Sequence, residues 1–163
     1  MTRTYFGDGN DVPVWGDFNG DGRDETGIYR EDSGLWAIRH TTRIYFGGPG
    51  DIPVPSDYDG DKTTDLGILR REKGLWALRG VTRIYYGSSA DIPVPADYNG
   101  DGTDQIGIFR TLTGLWAVRS LTRAYFGGPG DIPMPLDLGG EGTKGISLSR
   151  PISGLWAVRG TSR

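Results

Sequence analysis

The chain has no cysteine and a single histidine, His40, among 163 residues. Disulfides, thiolate metal sites and thiol nucleophiles are excluded together, and no nucleophile–base pair built on either residue type can recur. Long apolar runs are also missing. None approaches the roughly 20 residues of a membrane span, and none of the strand-like apolar segments reaches the ten or so of a typical helix. An excess of positive charge is lacking too, since 18 Lys and Arg stand against 21 Asp and Glu for a net charge of -3. Phosphate recognition needs a dominant basic surface, so no nucleic-acid partner is expected. Met1-Thr2-Arg3-Thr4-Tyr5 carries no apolar signal core. If the natural protein is secreted, this chain is expected to be a piece of a longer one.

Glycine is abundant, with 28 copies beside ten prolines, and these fall at fixed places. Trp36, Trp76, Trp116 and Trp156 recur every forty residues, as do Arg30, Arg70, Arg110 and Arg150. The unit is therefore a forty-residue repeat running through the whole chain. In its second copy, four short segments carry strand signals between turn residues: 42–46, 52–55, 67–70 and 75–79. Four-stranded units of this length are the mark of propeller blades, whose sheets are covered on both faces, so that Leu75-Trp76-Ala77-Leu78 is apolar without alternation.

The expected fold is all-β, a β-propeller of four blades, each a four-stranded antiparallel sheet, forming one repeat domain over 1–163. Pro53 and Pro55 suit an inner strand with one unpaired edge. Blades are then expected at about 11–47, 51–87, 91–127 and 131–160. The last lacks an outer strand, and residues 3–6, an outer strand without a blade, are expected to complete it and close the ring.

Between inner and second strands lies a loop with oxygen-bearing side chains at its first, third, fifth and ninth positions, spaced as a hard cation requires. The seventh residue would offer its carbonyl. Loop one holds Asp17, Asn19, Asp21, Arg23 and Glu25, and it is complete. Loop two holds Asp57, Asp59, Asp61, Thr63 and Asp65, with Lys62 where loop one has Gly22. Lysine there must accept a left-handed backbone or shift the turn. Loop three holds Asp97, Asn99, Asp101, Thr103 and neutral Gln105. Loop four has Gly139 and Gly145 at the third and ninth positions and is expected to be empty. Asp, Asn and Gly also favour plain solvated turns, but clustered carboxylates in three matching places repel one another unless a cation neutralises them. About three Ca2+ ions are expected, which would turn the net charge from -3 to about +3. Magnesium demands a stricter octahedron, and zinc would want nitrogen or sulfur ligands.

The pattern Asp-x-Asn-x-Asp-Gly-x-x-Asp/Glu, followed by Gly-Ile-Tyr-Arg or its variants, resembles the FG-GAP or VCBS-type repeat of integrin α-subunit-like propellers, in four copies across the chain. The resemblance implies an extracellular or cell-surface, calcium-binding and mostly adhesive module, with some relatives acting as lectins. Such propellers usually have seven blades. Four copies imply a small ring, a fragment, or two chains completing a larger ring, so either a monomer or a strand-swapped or ring-completing homo-oligomer is expected.

The function expected is a noncatalytic calcium-binding scaffold for structure or adhesion, the alternative being a lectin with repeated pockets between blades. No enzyme is expected, because a repetitive chain shows no single asymmetric constellation. The recurring tryptophans are read as core, and Arg30, Arg39, Arg43 and their equivalents as partners of aspartates such as Asp11 and Asp51. Trp15 replaces Pro55, Pro95 and Pro135, either as an axial plug or as an exposed residue. Turns 31–33, 71–73, 111–113 and 151–153 vary most, and any protein or glycan ligand is expected on their face, opposite the carboxylate loops.

Overall fold

A computed structural model describes residues 6–159. The chain forms two compact units. One comprises residues up to Asp57 with Asp61–Tyr85, and the other Tyr58–Gly60 with the chain from Tyr86. Apart from one turn of 3-10 helix at Arg71–Lys73, all regular structure among the described residues is β. No helix among the described residues is long and apolar enough to cross a membrane.

The first unit carries two antiparallel sheets. Strands β1 (Val12–Gly16), β2 (Glu25–Arg30), β3 (Leu35–Ile38) and β4 (Thr42–Tyr45) pair in chain order, as do β5 (Asp51–Pro53), β6 (Gly67–Arg70), β7 (Leu75–Leu78) and β8 (Thr82–Tyr85). The second unit repeats the plan with β9 (Asp91–Pro93), β10 (Gly107–Arg110), β11 (Leu115–Val118) and β12 (Thr122–Tyr125). It ends with a sheet of three strands, β13 (Ile132–Pro133), β14 (Ser147–Arg150) and β15 (Leu155–Val158). The architecture is thus that of a four-blade antiparallel β-propeller, two blades to a unit.

Proline placement explains where the inner strands stop. After Pro53, Val54 still donates to the Gly67 carbonyl (2.8 Å), but Pro55 has no N–H to give, and pairing resumes only as an isolated bridge between Ser56 and Asp65. Trp15 restores the missing donor in blade one, and β1 runs unbroken to the Gly16–Glu25 pair. Its indole is exposed, which decides between the two readings of that residue.

The core of each unit is built from strands whose two faces are both covered. In the first, Tyr29, Trp36, Val14 and Ile38 of one sheet pack with Leu66, Ile68 and Ala77 of the next. The Tyr29 and Trp36 rings lie 5.1 Å apart and tilted by 53°. Burial pushes the Tyr29 phenol up to about 12, with the charge of Asp51 adding to the effect. Phe109 and Trp116 repeat the pair at 5.1 Å in the second unit. Trp36 and Trp116 donate from Nε1 to the carbonyls of Phe46 and Phe126, both at 3.0 Å, so these two buried indoles are satisfied by the residue just after their own outer strands.

Each blade is also clamped by a forked ion pair joining its second strand to the residue before or at the start of its inner strand. Arg30 meets Asp11 at 2.7 and 2.8 Å, and Arg70 meets Asp51 at 2.9 and 2.8 Å. Arg110–Asp91 (2.7 and 2.9 Å) and Arg150–Asp131 (2.6 and 2.9 Å) match them. The aspartates are enclosed, and the arginines lie half in solvent with their stems along the sheet. For Arg30 and its equivalents, the expected aspartate partners are therefore in place.

The fourth blade corrects the expected closed, four-stranded plan. Among the described residues its sheet has three strands, and no sheet is closed by hydrogen bonds. Of the expected outer strand, residues 3–5 lie outside the described residues, while Phe6 is described and belongs to no strand. The physical difference is one of loop length. β4, β8 and β12 each follow their partner through a tight turn with a left-handed residue, His40 (φ 62), Gly80 (φ 80) or Ser120 (φ 61), which sets the register locally. A strand borrowed from the opposite end of the chain must instead close a loop of about 150 residues, at roughly 4 kcal/mol more in chain entropy, and no turn sets its register.

Candidate metal loops

The loop joining β1 to β2 is shaped by its first residue. Asp17 Oδ1 accepts from the N–H groups of Gly20 (2.6 Å) and Asp21 (3.2 Å), and Oδ2 from Gly22 (2.8 Å). Gly20 and Gly22 take φ values of 78° and 82°, which lets those amides turn inward. Burial alone would raise the Asp17 carboxyl, but the backbone donors outweigh it and hold it below the usual carboxylate range.

The ninth residue closes the loop. Glu25 begins β2 and accepts from Phe18 N–H (2.9 Å) and from the Asn19 side-chain amide (2.8 Å). Carboxylate oxygens of Asp17, Asp21 and Glu25 consequently lie within 4.8 Å of one another. Asn19 Oδ1 accepts from Asp21 N–H (2.8 Å), and Asp21 Oδ1 from Arg23 N–H (2.9 Å). The side chains singled out in loop one thus occupy one small volume.

In loop two, oxygens of Asp57, Asp59 and Asp61 gather within the same 4.8 Å. Lys62 accepts the left-handed backbone, with φ at 71°, and donates its N–H to Asp57 Oδ2 (2.8 Å) as Gly22 does to Asp17. Thr63 donates to Asp61 from its hydroxyl and from its N–H (2.7 Å), which lowers the Asp61 pKa. Asp65 sits in the bridge with Ser56 and is not part of that cluster.

Loop three keeps the same turn, with Asp97 accepting from Gly100 (2.6 Å) and Gly102 (2.9 Å). Its ninth position behaves differently. Gln105 Oε1 takes over the bond from Tyr98 N–H (2.8 Å), but Gln105 Nε2 donates to Asn99 Oδ1 (3.0 Å) and to the Thr103 carbonyl (2.6 Å). Those two oxygens are the third and seventh positions of the expected ligand set. A positively polarised amide therefore already satisfies oxygens that a cation would use. Sequence reasoning registered only the lost charge, because the direction of an amide is set by the folded loop.

Loop four retains the turn without the donors. Asp137 accepts from Gly140 (2.7 Å), Glu141 (3.1 Å) and Gly142 (2.8 Å), and these bonds, led by that from Gly142, lower its pKa. The turn thus depends on its first aspartate and the backbone, while the cluster of charge above it exists in loops one and two.

A further role of the first residue has no counterpart in the residue pattern. Thr64 N–H, next to the second loop's last position, donates to the Asp17 carbonyl (2.6 Å), and Lys144 N–H donates to the Asp97 carbonyl (2.7 Å). Within each unit, then, the residue that anchors one loop also receives a bond from the following loop. A Cβ added at Gly16 would collide with the Thr64 side chain, so the glycine before Asp17 allows this approach. Comparison of the chain with family models, curated proteins and solved structures finds no match.

Proposed function

We propose that the chain is a noncatalytic calcium-binding propeller module of the extracellular or cell-surface kind, serving as a structural or adhesive scaffold. The observation that carries this reading is the pair of carboxylate clusters, Asp17 with Asp21 and Glu25, and Asp57 with Asp59 and Asp61, each in a loop with side-chain and carbonyl oxygens to spare. Loops one and two are the stronger sites. Loop three, with Gln105 turned onto its own ligands, is the weakest of the three, and loop four takes no ion.

The ion acts by linkage. It binds the folded loop and not the unfolded chain, so it stabilises the fold by about 2.7 kcal/mol at a hundredfold excess over its dissociation constant. Because Asp17 also accepts the Thr64 bond, fixing its position steadies the next blade as well. An extracellular setting would supply calcium in the roughly 0.1 to 1 mM range at which modules of that kind bind. The FG-GAP-like character of the module rests on the loop spacing and the following Gly-Ile-Tyr-Arg segment.

Thermal unfolding in millimolar calcium against excess EDTA tests the reading. A midpoint several degrees higher with calcium is expected, and coincident curves would remove the metal from the proposal. A lectin is the second reading, favoured by Tyr45, Tyr85 and Tyr125, which stand exposed at the same place on three outer strands. A glycan array without signal would eliminate it.

A further inference from the structure

We propose that Tyr86, Arg119 and Arg123 form a binding site for the sulfate groups of an acidic glycan. The site rests on the lectin reading and gives it a ligand class, independently of calcium. Its two arginines are the third-blade equivalents of Arg39 and Arg43, for which the sequence pattern predicts aspartate partners. The forked clamps engage Arg30, Arg70, Arg110 and Arg150 instead, and the enclosed aspartates with them. Arg119 and Arg123 are exposed and meet no carboxylate among the described residues.

The hairpin of β11 and β12 sets these two side by side. Arg123 pairs across the strands with Ala117. Arg119 N–H carries the ladder one step past β11, donating to the Ile106 carbonyl at 2.8 Å, so its side chain follows the alternation onto the face of Ala117. Arg119, Arg123 and, two residues further on, Tyr125 therefore share one face. Like charges this close on a sheet repel, and an anion held between them removes the repulsion.

The third member is Tyr86, which follows β8 and lies in the same compact unit as both arginines. Burial raises its phenol above the ordinary value, while the charges of Arg123 and Arg119 act to lower it, so both guanidinium groups lie near the hydroxyl. Asp91 also acts on this phenol, but its two oxygens are already held by Arg110 and Ser88. Phe46 and Phe126 stand at the equivalent positions of the neighbouring repeats, so the hydroxyl belongs to this place alone among the three.

Two guanidinium forks and a phenol hydroxyl present more donors than the two oxygens of a carboxylate accept, and they suit an oxyanion with three terminal oxygens. Tyr125, 74% exposed on the same face, adds a flat apolar ring against which a sugar can lie. A sulfate ester on a glycan joins both features in one ligand. A nucleic acid would want a longer basic track than a chain of net charge -3 supplies.

Calorimetric titration of the full chain with a heparin oligosaccharide, at about 0.15 M salt, tests the site. Arg119→Gln with Arg123→Gln is expected to weaken binding by about tenfold or more, and Tyr86→Phe by about threefold. Both variants should keep the parent's thermal midpoint. Arg79→Gln with Arg83→Gln removes the equivalent pair of blade two and is expected to have a smaller effect. Equal losses from the two pairs, no loss from the first, or equal uptake of single-stranded DNA overturns the proposal. Binding of neutral glycans alone also overturns it and leaves the lectin reading standing, whereas silence toward every glycan removes both.

Discussion

Blade one and blade four share a residue plan and differ in what covers it. Both have an inner strand, a forked Asp–Arg clamp and a Leu-Trp-Ala strand. Around Trp36 the plan yields a closed core, with Tyr29 on one side and the Phe46 carbonyl at its nitrogen. Around Trp156 the same residues leave the ring in solvent. A repeat therefore specifies the strand, whereas the burial of that strand depends on its neighbour. The carboxylate loops teach the same lesson on a smaller scale. Loops one and four make the same turn on Asp17 and Asp137, and only loop one gathers charge above it.

The largest effect that could break the comparison comes from truncating the two tryptophans. Trp36→Ala is expected to lower stability by about 3–5 kcal/mol in denaturant unfolding. Trp156→Ala, measured in dilute solution, is expected to cost under about 1 kcal/mol, as for a surface residue. Equal losses would mean that Trp156 is covered in the single chain.

Next in size is the acid limb of the clamps, which blades three and four are expected to share. Burial alone would raise Asp91, but Arg110 and Ser88 outweigh it and lower its pKa, and the bond from Arg150 does the same for Asp131. A carboxyl whose folded pKa lies below its unfolded value stabilises the fold fully above that unfolded value. The contribution is lost as pH falls through the folded pKa. Stability is thus expected to decline from about pH 4 downward. In Arg110→Met the decline should flatten, and a profile identical to the parent's would show that the clamp adds nothing.

The loops offer a finer contrast. Gln105→Glu replaces the amide that occupies loop three's oxygens with a carboxylate like Glu25, and calorimetric titration is expected to show tighter calcium binding there by about tenfold. Glu25→Gln should weaken loop one in the same proportion, and an unchanged isotherm in both would contradict the grading of the loops. The smallest effect is expected from Lys62→Gly. It relieves a left-handed lysine and should raise stability by about 0.5–1 kcal/mol without altering the carboxylate cluster.

Much of this was legible in the sequence because it is local. Strand positions follow from apolar segments between glycines, and the clash between Lys62 and its turn from the backbone that the turn demands, whereas the inner strand expected at 52–55 stops at Pro53 because Pro55 has no N–H to give. The bidentate partners of Arg30 and Arg70 were legible as a recurrence of opposite charges. What stayed hidden depends on groups brought together by the fold. The amide of Gln105 turned onto Asn99 and Thr103 and the bond from Thr64 to Asp17 are facts of approach, and no residue type announces them.

The consecutive pairing of strands within every sheet has a consequence for synthesis. Because each strand bonds to the one made just before it, a blade needs nothing that has not already left the ribosome. Translation at about 5–20 residues per second delivers a forty-residue blade every few seconds, whereas hairpins close in about 1–10 μs. Each of these sheets can therefore pair as it emerges, before the next has been made. The fourth sheet follows the same order with three strands among the described residues, so its strands too can pair as they are made.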